Sequence, residues 1–261
     1  MKEYDLVMIL TEKCNLRCQH CYMEKSQNSL RKSDVDKILD HLPNNLARVS
    51  LEGGEVYCER DLLYYTIEKF RGKFGRNFNL RVLTNGVAFY DSPQTIIKEA
   101  GTLEELGADN IRVSLDEFHF VGGADERKLL SIGQILGEAD HPLKVSYLSL
   151  DNAVAVGNAE RLPEGKKQIR RCMNKSDCVD HPYLFTDING NVYTCPWRIT
   201  PPLGNLLEET LSNMYAEANE LQQRILVGDI SSIVGANEHF KTIQRVKGEC
   251  MVCKEIFRRD G

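Results

Sequence analysis

Three cysteines stand close together near the start of the chain, where Cys14, Cys18 and Cys21 follow the spacing C-x3-C-x2-C. Three thiolates bind three irons of a cubane 4Fe-4S cluster and leave the fourth iron open to another ligand. Zinc is the alternative metal, but a structural zinc site needs four protein ligands, and His20 cannot easily turn to the same metal. The spacing therefore predicts an iron–sulfur cluster with one open coordination site.

A second candidate group is the tripeptide GGE, formed by Gly53, Gly54 and Glu55. It follows the run RVSL, which predicts a β-strand. Paired glycines usually mark only a turn, but at a strand end they also allow the backbone to approach a ligand closely. We therefore predict a ligand-binding turn at this position.

A third candidate group lies on the predicted strand NIRVSLD. A period of two places Arg112, Ser114 and Asp116 on the face opposite its apolar residues. Asp116 fits equally well as the cap of the following helix. Asn85, in the sequence LTNG, is either a turn residue or a pocket residue. In a parallel barrel such polar strand ends line the binding site.

Strand-like and helix-like segments alternate regularly over the first 165 residues. The predicted strands are DLVMILT, RVSL, NLRVLT, NIRVSLD and PLKVSYLSL. A capping-box pattern at Ser33 and Asp36 predicts the start of the first helix, and Ser92, Pro93 and Gly107 bracket the third helix. This alternation predicts an α/β fold with a parallel sheet and right-handed crossovers.

The pattern changes after about residue 165. The segment YLFTDINGNVYTC predicts a β-hairpin around Asn189 and Gly190, followed by helices. We therefore predict two domains, residues 1–167 and 168–261, with the boundary near Gln168. Five of the nine cysteines lie in the second domain: Cys172, Cys178, Cys195, Cys250 and Cys253.

Composition argues against several classes of protein. The net charge of -5 and the pI near 5.8 disfavour nucleic acid as a partner. No apolar run approaches the ~18 residues of a membrane span, and no secretory signal is recognisable. A cytoplasmic protein is therefore expected, in which cysteines bind metals and do not form disulfides.

The segment CNLRCQHCY, which ends at Tyr22, resembles the signature of the radical S-adenosylmethionine (radical SAM) superfamily. The resemblance implies a partial parallel (β/α) barrel whose open iron binds the amino and carboxylate groups of S-adenosylmethionine. In that superfamily the GGE motif accepts a hydrogen bond from the amino group, and the fourth strand end contacts the ribose. The cofactor-binding residues it implies here are Tyr22, Gly53, Gly54, Glu55, Asn85, Ser114 and Asp116.

Within that superfamily the C-terminal region resembles a twitch domain, the shortened form of the SPASM extension. This resemblance implies a small domain of a β-hairpin and helices that carries an auxiliary 4Fe-4S cluster. Its four ligands would be Cys178, Cys195, Cys250 and Cys253. Cys172 is an alternative to Cys178, and a four-cysteine zinc ribbon is the alternative site.

The resemblance implies cleavage of S-adenosylmethionine to a 5'-deoxyadenosyl radical, which abstracts hydrogen from a substrate C–H bond. The sequences GGEVY and SLDEFH resemble peptide epimerases that act in natural-product biosynthesis. Epimerisation, cross-linking or oxidation of a ribosomal precursor peptide is therefore expected. However, Pro196 stands where such epimerases carry a hydrogen-donating cysteine. A twitch dehydrogenase that oxidises an aminocyclitol hydroxyl, with His119 as base, is the alternative.

A non-catalytic electron carrier with two clusters and a zinc-stabilised binding module remain as further alternatives. A flavodoxin- or ferredoxin-type electron donor is the expected partner. A peptide substrate would need either direct recognition or a separate leader-peptide-binding protein, because Cys14 follows so soon after the first residue. Cys58, three residues beyond Glu55, is either a hydrogen donor to a substrate radical or a small buried residue at the start of the second helix.

Overall fold

A computed structural model describes residues 3–148, 157–167, 183–198, 200–227, 229, 232, 234–235, 237–247, 253 and 255–256. Its strands are β1 (Tyr4–Thr11), β2 (Leu46–Gly53), β3 (Asn79–Thr84), β4 (Asn110–Ser114), β5 (Lys144–Leu148), β6 (Tyr183–Thr186), β7 (Asn191–Tyr193) and β8 (Gly204–Asn205). Its helices are α1 (Lys32–His41), α2 (Arg60–Phe74), α3 (Pro93–Leu106), α4 (Glu117–Val121), α5 (Glu126–Glu138), α6 (Leu211–Glu217), α7 (Glu220–Leu226) and α8 (Glu238–Lys247).

The described strands form one sheet in the order β5-β4-β3-β2-β1-β6-β7-β8. The first six strands in this order pair in parallel, and β7 and β8 are antiparallel additions at one edge. Helices α1, α2, α3 and α5 connect successive parallel strands, as βαβ units require. The predicted α/β fold, an open partial barrel, is confirmed.

Strand β1 lies in the middle of this sheet, between β2 and β6. All of its eight residues are buried, because both faces of the strand are covered. The apolar core continues through α1, α2 and α3. A rigid central strand therefore leads directly into the loop that carries the first three cysteines.

The start of α1 differs from the capping-box prediction. The helix begins at Lys32, and the backbone N–H of Arg31 donates a 2.9 Å hydrogen bond to the carboxylate of Asp34. Asp36 instead accepts a 2.8 Å hydrogen bond from the Tyr65 hydroxyl on α2. The prediction of Ser33 and Asp36 is therefore wrong, because Asp36 lies on the side of α1 that packs against α2.

The boundaries of α3 match the prediction. The Ser92 hydroxyl accepts a 3.1 Å hydrogen bond from the Thr95 N–H, and Pro93 is the first helical residue. Gly107 ends the helix at φ 106°, a left-handed conformation that favours glycine.

The hairpin around Asn189 and Gly190 forms as predicted, but its first strand belongs to the main sheet. β6 pairs with β1 in parallel, with Asp5 opposite Tyr183 and Met8 opposite Thr186. The sheet therefore continues across the predicted domain boundary, while Gln168 itself lies outside the described residues. No helix in the described part of the chain is long and apolar enough to cross a membrane.

Candidate active site

A cavity of about 440 Å³ opens at the interior face of the sheet, close to the C-terminal ends of its parallel strands. This volume falls within the range of small-molecule sites. The loop after β1, inward-facing residues of the parallel strands and their C-terminal ends, His119 of α4 and the segment after β7 line it.

The loop after β1 carries Cys14, Cys18 and Cys21, and all three line the cavity. Cys18 is buried and the other two are half-buried. Burial raises the pKa of Cys18 to about 12 and also raises the pKa of Cys21. A bound metal reverses this effect because its charge stabilises the thiolate. Three thiols that face one cavity fit a cluster with one open iron.

The two glycines of the GGE turn hold the end of β2 against this cysteine loop. The N–H of Gly54 donates to the carbonyl of Thr11 at 2.8 Å, and the N–H of Glu55 donates to that of Lys13 at 2.7 Å. A Cβ atom on Gly54 would lie only 2.3 Å from the Lys13 carbonyl oxygen. The close approach for which these glycines are needed is thus between two backbone segments.

Glu55 is 2% exposed and lies in the wall of the cavity. Its carboxylate accepts hydrogen bonds from the Thr84 hydroxyl at 2.7 Å, the Asn85 N–H at 2.7 Å and the Tyr57 N–H at 3.2 Å. Burial raises its pKa in spite of these bonds. Because a carboxylate has about four acceptor positions, one remains for a ligand.

Asn85 and Ser114 also lie in the cavity wall, and both are buried. The Asn85 amide donates a 2.7 Å hydrogen bond to the side chain of Asn15, so it connects the end of β3 with the cysteine loop. The Ser114 hydroxyl makes no hydrogen bond to a described residue, and it therefore has both donor and acceptor capacity for a ligand.

Asp116 lies behind the cavity wall, not in it. It caps α4: its Oδ1 accepts a 3.0 Å hydrogen bond from the His119 N–H and lies 2.8 Å from His119 Nδ1. Its Oδ2 is buried and has no hydrogen-bond partner among the described residues. The placement corresponds to the helix-cap alternative, and His119 takes the position in the cavity wall.

Two histidines lie close to Cys18. The ring centroids of His20 and His119 are 4.9 Å apart, and the His20 ring stacks on Phe118 at 4.7 Å. Possible ligand atoms of Cys18, His20 and His119 lie within 4.8 Å of one another, so His20 approaches a cysteine more closely than its position between two cysteines suggests. Burial lowers the pKa of His20 to about 4, which keeps the imidazole neutral at pH 7.

The segment after β7 forms the opposite side of the cavity through Pro196 and Trp197. The Trp197 ring meets the ring of Tyr22 edge to face, with centroids 5.3 Å apart. Burial and the charge of Glu52 raise the pKa of Tyr22. The contact with Trp197 connects the cysteine loop with the C-terminal part of the chain, a relationship that sequence spacing did not predict.

The remaining cysteines are distributed differently. Cys58 is exposed in a short 3-10 helix, Val56–Glu59, and does not line the cavity, so the expectation of a buried residue is wrong. Cys195 is half-buried, and Cys253 is buried in a small cluster with Ile225 and Val234. Cys172, Cys178 and Cys250 lie outside the described residues.

The sequence motifs do not include most of the inward-facing charged residues of β2, β3 and β4. Glu52, Arg81 and Arg112 all line the cavity. The period of two that singled out Arg112 on β4 also places Arg81 on the inner face of β3. The same rule applied to each strand would have found them.

An open parallel α/β barrel with three cysteines over a GGE turn defines the class: enzymes that bind a cluster and a small cofactor at the strand ends. The sequence profile of the Radical SAM superfamily matches residues 8–139, and the chain belongs to that superfamily. Membership implies a 4Fe-4S cluster and S-adenosylmethionine, and the three thiols together with Glu55 and Ser114 fit them.

Curated relatives match parts of the chain. The probable GTP 3',8-cyclase of Methanococcus maripaludis is 29% identical over 157 residues, which are 56% of this chain and 49% of that protein. The antilisterial bacteriocin subtilosin biosynthesis protein AlbA of Bacillus subtilis is 30% identical over 96 residues, 34% of this chain and 20% of that protein. The chain thus spans half or less of the length of these relatives.

Solved structures match nearly the whole chain. Native anSMEcpe with bound AdoMet and Cp18Cys peptide has a TM-score of 0.56 at 14% identity and covers 94% of this chain and 88% of its own. Streptococcus suis SuiB has a TM-score of 0.51 at 13% identity, with 96% of this chain and 73% of its own covered. At these identities the similarity shows the fold.

Proposed function

We propose that the chain cleaves S-adenosylmethionine at the three-cysteine site and removes a hydrogen atom from a C–H bond of a peptide. The observation that carries the proposal is the composition of one cavity wall. Three cysteines, Glu55 with Ser114, and Trp197 face the same space. A cluster site, a cofactor site and a substrate wall are thereby brought together.

Bound cluster and S-adenosylmethionine supply the reducing electron and the 5'-deoxyadenosyl radical. Cys14, Cys18 and Cys21 hold the cluster. The free acceptor position of Glu55 binds the amino group of the cofactor, and the Ser114 hydroxyl binds its ribose. The hydrogen bonds of Glu55 to Thr84 and Asn85 keep the carboxylate in place before the ligand arrives.

The share of the chain that the structural similarity covers supports a peptide substrate. Similarity to the GTP cyclase covers 56% of this chain, whereas similarity to anSMEcpe, whose structure holds a peptide, covers 94%. The superposition therefore extends beyond residue 139, where the match to the superfamily profile ends, into the C-terminal part of the chain to which Pro196 and Trp197 belong. The part of the chain that faces a substrate is therefore shared with the fold of a protein that binds a peptide.

We propose an oxidative outcome. Apart from Cys14, Cys18 and Cys21, no thiol of a described residue lines the cavity. The described part of the wall therefore has no further thiol that could donate a hydrogen atom to a substrate radical. Cys195 directly precedes the wall residues Pro196 and Trp197. An auxiliary 4Fe-4S cluster on Cys178, Cys195, Cys250 and Cys253 would take an electron from the substrate radical, while a proton leaves to solvent. A flavodoxin- or ferredoxin-type donor supplies the first electron.

The test uses anaerobically reconstituted protein with S-adenosylmethionine and dithionite. A pool of short peptides should raise 5'-deoxyadenosine formation above the rate without substrate, and a product peptide should lack two hydrogen atoms by mass. If GTP and not the pool raises the rate, the peptide proposal fails. A product of unchanged mass that carries solvent deuterium would replace oxidation by epimerisation.

One observation favours a second candidate, oxidation of a secondary hydroxyl of an aminocyclitol. His119 lines the cavity, and Asp116 holds its Nδ1 at 2.8 Å, so the imidazole is oriented to accept a hydroxyl proton. Stimulation of 5'-deoxyadenosine formation by an aminocyclitol, with a ketone as product, would identify this activity. No response to the aminocyclitol excludes it.

A further inference from the structure

Two arginines line the cavity on the wall formed by β3 and β4. In the sheet register Arg81 lies opposite Asn110, and Arg112 lies opposite Leu83, so the two arginines are diagonal neighbours on adjacent strands. Ser114 follows Arg112 by two residues on the same face, about 7 Å further toward the strand end. The arginine pair therefore lies deeper in the barrel than the predicted cofactor residues.

The hydrogen bonding of this pair is incomplete. Arg81 Nε donates to the Asn110 side chain at 3.2 Å, whereas Arg112 makes neither a hydrogen bond nor an ion pair with any described residue. The carboxylate of Glu52 accepts a 2.8 Å hydrogen bond from Ser50 and forms no ion pair with either guanidinium within the described structure. A half-buried guanidinium carries five donors that need acceptors from water or from a ligand.

Positive charge exceeds negative charge on this wall. Burial lowers the pKa of Arg81, and the charges of Arg112 and Arg48 lower it further. The charged side chains that line the whole cavity are Lys25, Arg81 and Arg112 on the positive side and Glu52 and Glu55 on the negative side, which leaves an excess of one positive charge. A monoanion matches this excess, whereas a nucleoside triphosphate brings several negative charges close to Glu52.

We infer that Arg81 and Arg112 form a subsite that binds a carboxylate of the substrate. The inference rests on the proposed function, and it identifies the substrate as a peptide with an acidic residue close to the position that reacts. Arginine suits this role because its planar guanidinium binds both oxygens of a carboxylate at once. The predicted cofactor residue Ser114 lies on the same wall, so a carboxylate bound here positions the neighbouring C–H bonds toward the cofactor.

Trp197 provides a direct readout of occupancy, because it is the single tryptophan of the chain and lines the same cavity. The probes are N-acetyl-glutamate N-methylamide, whose only charge is its side-chain carboxylate, and the neutral glutamine analogue. Each probe is titrated into reconstituted protein loaded with S-adenosylmethionine, and tryptophan emission is recorded. We expect a saturable change with the glutamate probe and at least tenfold weaker binding of the glutamine probe.

Substitutions distinguish specific binding of a carboxylate by the arginine pair from a general effect of positive charge in the barrel. Arg112→Gln should weaken binding of the glutamate probe at least tenfold, and Arg112→Lys should recover part of it. Arg48→Gln is the matched control, since Arg48 also faces the barrel but already contacts Asp5 at 3.5 Å and the Tyr183 hydroxyl at 3.3 Å. It should change binding less than about threefold. Circular dichroism and iron content of each variant identify any that fail to fold.

Several other results would overturn the inference. The absence of a saturable change with the glutamate probe, equal binding of the two probes, or an undiminished response in folded Arg112→Gln would do so. Tighter, Arg112-dependent binding of GTP would assign the pair to a polyphosphate instead. These measurements need no turnover, so binding of the glutamate probe together with failure of the peptide pool to raise 5'-deoxyadenosine formation would overturn the proposed function and leave the subsite intact.

Discussion

The carboxylate of Glu55, at the end of β2, accepts a 2.7 Å hydrogen bond from the backbone N–H of Asn85, at the end of β3. The same carboxylate accepts a bond from the Thr84 hydroxyl. A residue predicted to bind the cofactor thus also connects two neighbouring strand ends. Removing it should affect both stability and ligand binding.

Glu55→Ala should lower the free energy of unfolding by about 2 to 5 kcal/mol and weaken S-adenosylmethionine binding, because buried donors lose their acceptor. Urea unfolding and equilibrium dialysis measure the two effects. Glu105→Ala, on the exposed side of α3, is the control and should be nearly neutral. Cofactor affinity equal to wild type in the Glu55 variant would show that the motif serves only as a turn.

Gly54→Ala should prevent correct placement of the cysteine loop, since the added Cβ would lie 2.3 Å from the Lys13 carbonyl oxygen. We expect iron content after reconstitution to fall markedly. Gly72→Ala is a matched control, because a Cβ at this position in α2 meets no atom within 4 Å, and alanine there should stabilise the helix by up to ~1 kcal/mol. Full iron content in Gly54→Ala would contradict the close approach of the two loops.

Replacement of Cys14, Cys18 and Cys21 by Ala should remove about four of about eight irons and abolish 5'-deoxyadenosine formation. Iron analysis and chromatography of the reaction mixture measure both quantities. A wild-type content of about four irons would contradict the proposed auxiliary cluster. Cofactor cleavage by the triple variant would contradict the cluster site itself.

Cys58→Ser should leave iron content, 5'-deoxyadenosine formation and solvent deuterium incorporation unchanged, because this thiol is exposed and lies outside the cavity wall. Mass spectrometry of product formed in deuterium oxide is the measurement. Loss of deuterium from the product of this variant alone would restore the hydrogen-donor role.

Asp34→Asn should make the stability of the protein depend less steeply on pH in the acid range. The hydrogen bond from Arg31 lowers the pKa of Asp34, so the folded state favours the carboxylate more than the unfolded state does. The resulting stability is present above about pH 4 and is lost as the pH falls through the lowered pKa. Urea midpoints between pH 2 and pH 7 test this. Asp40→Asn, exposed at the end of α1, should retain the wild-type profile.

At pH 7 the Asp34→Asn variant should lose about 0.5 to 2 kcal/mol, the usual contribution of a helix cap. An equally steep acid limb in wild type and variant would show that other carboxylates govern acid unfolding.

Local patterns were sufficient to predict the order of elements and the grouping of three cysteines in one loop. Burial of both faces of β1, the caps of α3 and the alternation along β4 are consequences of neighbouring residues, and they appear in the structure as predicted. The cap of α1 was not predictable in this way. Asp36 is drawn to Tyr65 on another helix, and that contact exists only after α1 and α2 have packed.

The tertiary structure decided which polar residues face the cavity. The period of two predicts Asp116 and Ser114 on the same face of one strand, yet β4 ends at Ser114, and the cap of α4 directs Asp116 to His119 and leaves Ser114 in the cavity wall. The wall formed by Trp197 and the pairing of β6 with β1 join parts of the chain that are more than 170 residues apart. Spacing along a sequence specifies which groups can bind a metal, because those groups share one loop. Only the sheet register specifies which distant side chains share a cavity, because that register depends on the packing of the whole barrel.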